Sequence, residues 1–201
     1  MSIDMGRLAH EEGKALLQRL ANHGKAGALG GGSRWNAMDV IWSDPVGKGV
    51  IYVGNQTAAQ SLPLLREHGV THVLNCTHGD YKIPDFHVGT LKYMTLPISD
   101  FSSLVKNTDA SMHEFMDPVW AFIDSATRSG NSVLIHCLAG AHRAGTTGVA
   151  CLIHYERMSV PTAVATAKSL RSAIDPIGRF PDFLRRLHKA EESRWLASSQ
   201  K

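Results

Sequence analysis

Residues 136–143, His-Cys-Leu-Ala-Gly-Ala-His-Arg, constrain the fold more than any other part of the chain. They place a thiol and a guanidinium at the two ends of a short loop that contains a glycine. The preceding residues 133–135 are apolar and two of them are β-branched, which is typical of a buried strand. Residues 146–155 have the pattern of an amphipathic or buried helix. The sequence therefore predicts a strand, a tight loop and a helix in direct succession.

A loop in this position is suited to binding phosphate. Successive backbone N–H groups can point inward, and the positive end of the helix dipole adds its field. Gly140 lets the backbone turn close to a ligand, and the planar guanidinium of Arg143 can bind two phosphate oxygens at once. The same donors favour a thiolate at Cys137, which we predict to be a nucleophile. The predicted phosphate-binding residues are Leu138, Ala139, Gly140, Ala141, His142 and Arg143.

The pattern of His-Cys, five residues and Arg resembles the active-site loop of the cysteine-dependent protein tyrosine phosphatase superfamily. Further segments lie in the order of its dual-specificity branch, so that the resemblance covers roughly residues 40 to 190: 50–55, 70–75, 96–100 and 174–180. The resemblance implies a protein phosphatase that hydrolyses phosphotyrosine and phosphoserine or phosphothreonine. It also implies a phosphocysteine intermediate at Cys137, with Arg143 holding the phosphate.

Hydrolysis of a phosphate ester also needs a proton for the leaving oxygen. Asp100 follows a strand-like stretch and opens a polar segment, and the resemblance places the general acid, later the general base, at this position. Asp109 and Asp85 are alternatives, and a structural role for Asp100 as the cap of the following turn is the other interpretation. His136 is expected to hydrogen-bond behind the loop and support the thiolate. No metal and no cofactor are expected.

One residue departs from the family pattern. The residue after the arginine is usually a serine or threonine whose hydroxyl helps the thiolate to leave, but this chain has Ala144. We expect an intact first step and a slow second step, unless Thr146 or Thr147 partly substitutes. A weakly active module that binds or sequesters phosphorylated substrates is therefore an alternative. An inositol-phosphate-directed phosphatase is a third interpretation, which the absence of basic residues at loop positions such as Leu138 and Ala141 disfavours.

Cys76 ends the predicted strand over residues 70–75, and strand ends of a parallel sheet converge near the Cys137 loop. A tensin-related lipid phosphatase subgroup has a cysteine in a similar position that pairs with the nucleophile on oxidation. The resemblance thus implies a reversible disulfide between Cys76 and Cys137. In the resembled fold the next loop borders the pocket, and its candidate substrate-recognition residues here are Tyr81, Lys82 and His87.

Alternating strands and helices predict an α/β fold with a mainly parallel central sheet flanked by helices, similar to dual-specificity phosphatases. Residues 35–196 are expected to form this catalytic domain, and residues 197–201 a tail. Residues 1–34 should form an extra N-terminal amphipathic helix, over 5–22, and a glycine-rich linker. We also expect Pro63 to kink or break a helix over 57–68, and Pro118 to mark either the first turn of a helix or a kink.

Composition narrows the partners and the compartment. The formal net charge is only +3, and the basic cluster at residues 179–189 is interpreted as a solvated helix face, so that no nucleic-acid partner is expected. A phosphorylated protein is the expected partner, and the oligomeric state is not predicted. No stretch approaches the ~20 apolar residues of a membrane span, and no secretory signal is recognised. Three cysteines are a poor disulfide framework, so we expect a cytoplasmic protein, with the nucleus as the alternative.

Overall fold

A five-stranded sheet forms the centre of the computed structural model, which describes residues 16–20 and 36–199. The strand order is β1–β2–β5–β3–β4, and only β1 runs antiparallel to its neighbour among the strands of this described part. The predicted, mainly parallel sheet is therefore confirmed. The strands are β1 (Met38–Ser43), β2 (Val50–Gly54), β3 (Val70–Asn75), β4 (Lys92–Thr95) and β5 (Ser132–His136).

The central strand β5 positions the loop that the sequence singled out. It lies between β2 and β3, and all of its residues are buried, as expected for an apolar strand in a parallel sheet with both faces covered. The register pairs His136 with Gly54 on one side and with Asn75 on the other. Three strands consequently end together at the edge where β5 enters the Cys137 loop.

Helices cover both faces of the sheet. Helix α6 contacts β1, β2 and β5 on one side and packs against α7 and α8 on the other, so that residues 144–153 are all buried. The helices after residue 36 are α2 (Gln56–Gln60), α3 (Leu62–Glu67), α4 (Phe101–Leu104), α5 (Asp109–Thr127), α6 (Arg143–Glu156), α7 (Val160–Leu170) and α8 (Phe180–Ser198). Two 3-10 turns lie at Gly79–Tyr81 and Ile98–Asp100.

The two prolines have different effects. Ser61 ends α2 and also caps α3, with Pro63 in the first turn of α3, so the predicted break is confirmed. Helix α5 begins much earlier than Pro118, because the Thr108 hydroxyl caps it by accepting a hydrogen bond from the backbone N–H of Ser111. Pro118 therefore lies inside α5, and the prediction that it marks the first turn is wrong.

The described part of the N-terminal helix, α1 (residues 16–20), packs on the domain. Leu16 and Leu20 are buried in the main core. Arg19 donates to the carboxylate of Glu156 at the end of α6, which also accepts the indole N–H of Trp42. The extra N-terminal helix is thus confirmed, whereas the rest of the predicted 5–22 helix and the glycine-rich linker lie outside the described residues. No helix of the described chain is long and apolar enough to cross a membrane.

Candidate active site

The loop between β5 and α6 turns its carbonyl groups away from its own centre. The outward partners are Gln56 N for Leu138 O (3.1 Å), the Arg171 guanidinium for Ala139 O and Gly140 O (3.3 and 3.0 Å), and Asp175 N for Ala141 O (3.1 Å). In a trans peptide the N–H points opposite to the C=O, so the amides face the inside of the loop. Within the described chain, none of the amides 138–142 donates to a backbone oxygen. This is the geometry of an anion cradle at a helix N-terminus.

Gly140 cannot be replaced without strain in this loop. Its φ of +67° lies in the left-handed region that glycine adopts most readily. A Cβ atom built on it would lie 2.5 Å from the carbonyl oxygen of Gly54 and 2.8 Å from a guanidinium nitrogen of Arg171. The close approach of the loop to β2 therefore requires a residue without a side chain.

Arg171 supports the loop from behind, and the sequence did not indicate it. Its buried guanidinium donates to the loop carbonyls and also to Asp39 Oδ2 (2.6 Å) and Asn36 O (3.0 Å). The Asp39 carboxylate offsets the cost of burying this charge. Arg171 comes directly after α7, where a single arginine is ordinarily solvated, so no local pattern marked it. It joins the loop to the first strand of the sheet.

Cys137 and Arg143 lie at the two ends of the cradle. Cys137 is the first residue after β5 and is 3 % exposed. Arg143 is the first residue of α6 and is partly buried, and no hydrogen-bond acceptor contacts its guanidinium within residues 16–20 and 36–199. The inward amides, the helix N-terminus and Arg143 together provide positive potential in the cradle beside Cys137.

His136 lies behind the loop in a fully buried position. Neither ring nitrogen has a partner at full hydrogen-bond geometry among the described residues, and the hydrogen bond expected behind the loop stays a prediction. Burial lowers the pKa of His136 to about 4, although the Asp85 carboxylate and the Cys137 backbone act in the opposite direction. The ring is therefore neutral near pH 7.

The two threonines that follow Ala144 are already engaged. The Thr146 hydroxyl donates to His142 O (2.6 Å), and the Thr147 hydroxyl donates to Arg143 O (3.0 Å). Each hydroxyl hydrogen is thus directed one helical turn back along α6. Ala144 itself is fully buried and provides no donor. The arrangement does not favour the expected substitution of Thr146 or Thr147 for the missing hydroxyl.

Asp100 points toward the loop that follows β3. Its Oδ2 lies 2.6 Å from Nε2 of His78, and the side chain is 46 % exposed. Asp100 occupies the N-cap position of α4, but its side chain makes no capping hydrogen bond. The interpretation of Asp100 as only a helix cap is therefore wrong. Its neighbours Ile98 and Phe101 are buried and fix the backbone on both sides.

The alternative carboxylates are held elsewhere. Asp85 accepts from the Asn75 side chain (3.0 Å) and from Lys82 Nζ (3.1 Å). Asp109 begins α5 and accepts from the Ser193 hydroxyl of α8 (2.9 Å). Of the three carboxylates, Asp100 is the one whose partner is a histidine.

The segment that carries Asp100, residues 98–106, is held by α8. Arg186 donates to the carbonyls of residues 105 and 106 (2.9 and 2.6 Å), and its guanidinium lies 5.8 Å from the ring centre of Phe101. Arg179 donates to the Ser102 hydroxyl (2.9 Å). The interpretation of residues 179–189 as a solvated face is therefore wrong for Arg186, which is partly buried, whereas Arg179 is exposed and adds a surface contact.

The candidate recognition residues have three different environments. Tyr81 is 85 % exposed in a 3-10 turn, whereas Lys82 is paired with Asp85. His87 is partly buried, and its Nε2 has no partner within the described residues. Leu138 in the cradle loop is 61 % exposed, which makes the mouth of the site apolar at that point.

Cys76 lies at the same edge of the sheet as Cys137, as the strand order predicts. Its N–H donates to His136 O (2.9 Å), and the preceding residue Asn75 pairs with His136 in the register. Neighbouring strands lie ~4.8 Å apart, which is within the ~4.4–6.8 Å Cα separation of disulfides. All three cysteines are free thiols, and burial raises the pKa of Cys76 to about 12. No metal-binding group of three or more His, Cys, Asp or Glu side chains occurs in the described chain.

Comparison with known proteins agrees with this geometry. The family model described as dual specificity phosphatase, catalytic domain, matches residues 51–192. The chain is 30 % identical over 166 residues to dual specificity protein phosphatase 19 of Mus musculus, covering 82 % of this chain and 71 % of that protein. It is 32 % identical over 143 residues to dual specificity protein phosphatase 6 of Homo sapiens, covering 68 % of this chain but 35 % of that protein. The crystal structure of human DUSP28 superposes with a TM-score of 0.61 at 20 % identity, covering 78 % of this chain and 96 % of that one.

Proposed function

The chain belongs to the dual-specificity protein phosphatase family, and we propose that it hydrolyses phosphotyrosine and phosphoserine or phosphothreonine in proteins through a phosphocysteine intermediate. The observation that carries the proposal is the cradle loop. Its carbonyls are tied outward and its amides face inward between Cys137 and Arg143. A phosphate monoester seated there brings phosphorus to the thiolate and its oxygens to the amides and the guanidinium.

In the first step the Cys137 thiolate attacks phosphorus in line with the ester oxygen. The S–P bond forms as the P–O bond breaks, and the charge on the equatorial oxygens is held by the loop amides and by the bidentate fork of Arg143. Asp100, in its protonated form, gives its proton to the departing oxygen. The products are the dephosphorylated side chain and a phosphocysteine.

In the second step water attacks the phosphocysteine. Asp100, now ionised, accepts a proton from this water as the new O–P bond forms. The S–P bond breaks, and inorganic phosphate and the thiolate are released. The leaving group is now sulfur, which a nearby hydroxyl would stabilise. Ala144 cannot provide one, and the hydroxyls of Thr146 and Thr147 are bonded to backbone carbonyls. We therefore infer that the second step limits turnover.

The same observation favours a second candidate function. A domain with such slow turnover would act mainly by binding phosphorylated substrates in the cradle, as a binding or sequestering module. Sequestering requires that the P–O bond stays intact, because formation of the phosphocysteine releases the dephosphorylated substrate. The two functions therefore differ in product release: an enzyme gives a burst and a measurable steady rate, whereas a binding module gives neither.

Rapid-mixing hydrolysis of a chromogenic aryl phosphate in mildly acidic buffer tests the proposal. We expect a burst of one equivalent of phenol per protein, followed by slower steady turnover. Cys137→Ser should abolish both phases, and Ala144→Ser should raise the steady rate with the burst unchanged. A linear time course would contradict the slow second step. Activity in Cys137→Ser would contradict the mechanism altogether.

We also propose that oxidation joins Cys76 to Cys137. The two residues follow a paired position of adjacent parallel strands, so a sulfenic acid formed on Cys137 can condense with the thiol of Cys76 and release water. Peroxide treatment followed by non-reducing peptide mapping should find this crosslink, and a thiol reductant should restore activity. Cys76→Ser should lose the recovery, whereas Cys151→Ser, which changes a buried cysteine of α6, should keep it. The absence of the crosslink would contradict the proposal.

The expected partner and compartment follow from this chemistry. A phosphorylated protein is the proposed substrate, and a free thiolate needs a reducing environment such as the cytoplasm or the nucleus.

A further inference from the structure

His78 contacts the carboxylate that the proposed mechanism uses for proton transfer. Its Nε2 lies 2.6 Å from Asp100 Oδ2, and the two side chains come from different loops. We propose that His78 is a positioning residue that fixes Asp100 and takes up and returns its proton. The proposal rests on the proposed function and goes beyond it, because it assigns a role to a residue outside the predicted site.

The positioning part follows from how little else holds the side chain. The backbone around Asp100 is fixed by the buried residues Ile98 and Phe101. The carboxylate itself makes no capping hydrogen bond and is nearly half exposed to water. Within the described chain His78 is its hydrogen-bond partner. A carboxylate held through Oδ2 keeps Oδ1 directed at one place, which a general acid requires in order to reach the leaving oxygen.

The proton part follows from the chemistry of the partner. A permanent cation such as lysine or arginine at position 78 would hold Asp100 in its ionised form and remove the general acid. An imidazole changes its charge under physiological conditions and can either donate to or accept from a carboxyl oxygen. One proton between the two groups can therefore lie on Asp100 or on His78. Because the side chains are 46 % and 32 % exposed, the pair can exchange this proton with water.

The proton balance closes over the two steps. In the first step Asp100 gives its proton to the leaving oxygen, and His78 is left neutral. In the second step Asp100 takes a proton from the attacking water, and this proton passes to His78 Nε2 or returns to solvent. No oxidant, metal or further reactant is needed.

Other charged groups around the pair have separate partners or roles. On the loop of His78, Lys82 is paired with Asp85. On the segment of Asp100, the neighbouring Ser102 receives Arg179. From the cradle loop, Cys137 and Arg143 face the substrate phosphate in the proposed mechanism. His78 is therefore the titratable group within the described residues that contacts the Asp100 carboxylate directly.

Leaving-group dependence separates this role from simple support of the loop. The second step is the same for every substrate, so the comparison uses kcat/KM, which reports the first step. It would be measured on the full chain and its variants with 4-nitrophenyl phosphate, which has a good leaving group, and with phenyl phosphate, whose leaving oxygen needs a proton. General acid catalysis contributes about 10²–10⁴-fold, so partial loss through His78→Ala should slow phenyl phosphate about tenfold. The effect on 4-nitrophenyl phosphate should be much smaller. His78→Gln keeps an N–H donor but cannot carry the proton, so it should recover part of the rate and still alter the pH–rate profile.

Three controls define the outcomes. In an Asp100→Asn background, His78→Ala should have no further effect, because it acts through Asp100. Asp80→Ala, an exposed change in the same turn, should leave both substrates unaffected. Equal slowing of the two substrates by His78→Ala, or an additional effect on Asp100→Asn, would overturn the inference. A wild-type chain without aryl phosphatase activity, or an active Cys137→Ser variant, would instead overturn the proposed function, and the inference with it.

Discussion

The cradle loop, residues 137–143, and the acid segment, residues 98–106, face one task but are built differently. The cradle loop follows a central strand, and buried Arg171 binds its carbonyls from behind. The acid segment, which carries the proposed general acid Asp100, follows the edge strand β4. Arg186 of α8 and Arg179, the N-cap of that helix, hold it from the outside. The proposed phosphate site is thus held by the backbone and the core, whereas the proposed proton donor lies on a segment held by side chains near the surface.

This difference has a chemical reason. The equatorial oxygens of the phosphoryl group have the same arrangement for every substrate, so a rigid cradle binds all of them equally well. Leaving groups differ in size and in their need for a proton, so the acid has to adapt. We therefore expect changes in the cradle loop to affect folding and all substrates, and changes in the acid segment to affect mainly substrates with poor leaving groups.

The largest effect should come from Gly140→Ala. Alanine at this position would have to adopt a left-handed φ, and its Cβ would clash with Gly54 O and Arg171. We expect a loss of more than about 3 kcal/mol in the free energy of unfolding, from ~1–2 kcal/mol of backbone strain plus the clash. Activity should be lost toward every aryl phosphate. Urea denaturation and steady-state kinetics measure the two effects.

Gly178→Ala is the matched control for this change. Gly178 has nearly the same φ, +62°, but a Cβ there would meet no atom within 4 Å. Its free energy of unfolding should fall only by the backbone strain, about 1 kcal/mol. Equal losses in the two variants would mean that the close approach to β2 and Arg171 does not matter.

A second effect concerns the dependence of stability on pH. The folded-state pKa of His136, about 4, lies below its ordinary value of 6.5, so the unfolded chain binds this proton first. The contribution of His136 to the free energy of unfolding is fully present above pH 6.5 and is lost as the pH falls toward 4. The total loss is about 3 kcal/mol. Urea denaturation across this range should show the fall. His136→Leu, which suits the buried position, should flatten it, and an unchanged slope would exclude His136 as the cause.

The smallest effect should come from the acid segment. Arg186→Ala removes two hydrogen bonds to the carbonyls of residues 105 and 106, together worth about 1–3 kcal/mol. The kcat/KM for phenyl phosphate, which reports the first step, should fall several-fold, with the kcat/KM for 4-nitrophenyl phosphate nearly unaffected. Arg185→Ala is the control, because Arg185 is exposed and paired only with Asp182 among the described residues. Equal slowing of both substrates by Arg186→Ala would remove the distinction between the two regions.

The sequence predicted the parts of this structure that depend on neighbours in the chain. The strand, loop and helix around Cys137 were readable because apolar periodicity and a glycine occur within a few residues of each other. The position of Cys76 followed from the rule that parallel strands end at one edge. The start of α5 was left open between two alternatives, because Pro118 is a stronger sequence signal than the Thr108 cap that begins the helix.

The residues that the sequence did not indicate act over long separations. Arg171 reaches the loop across 31 residues, and Arg186 reaches the acid segment across about 80. The sequence around an arginine does not indicate its partner. Arg186 was therefore expected to be solvated, and no role was predicted for Arg171. His78 could have been found, because it lies in the loop after β3, next to residues that were singled out for the same reason.

Arg171 also has a consequence in time. Of the parts that Arg171 joins, the ribosome makes Asn36 earliest and the cradle loop about a hundred residues later. Arg171 follows Gly140 by another 31 residues. At ~5–20 residues per second, the loop therefore waits for some seconds without the guanidinium that holds its carbonyls. Until then a nascent chain carries the thiol and Arg143 but not the shape that makes them reactive together. Translation order alone delays the appearance of the assembled site until the C-terminal part of the domain has been made.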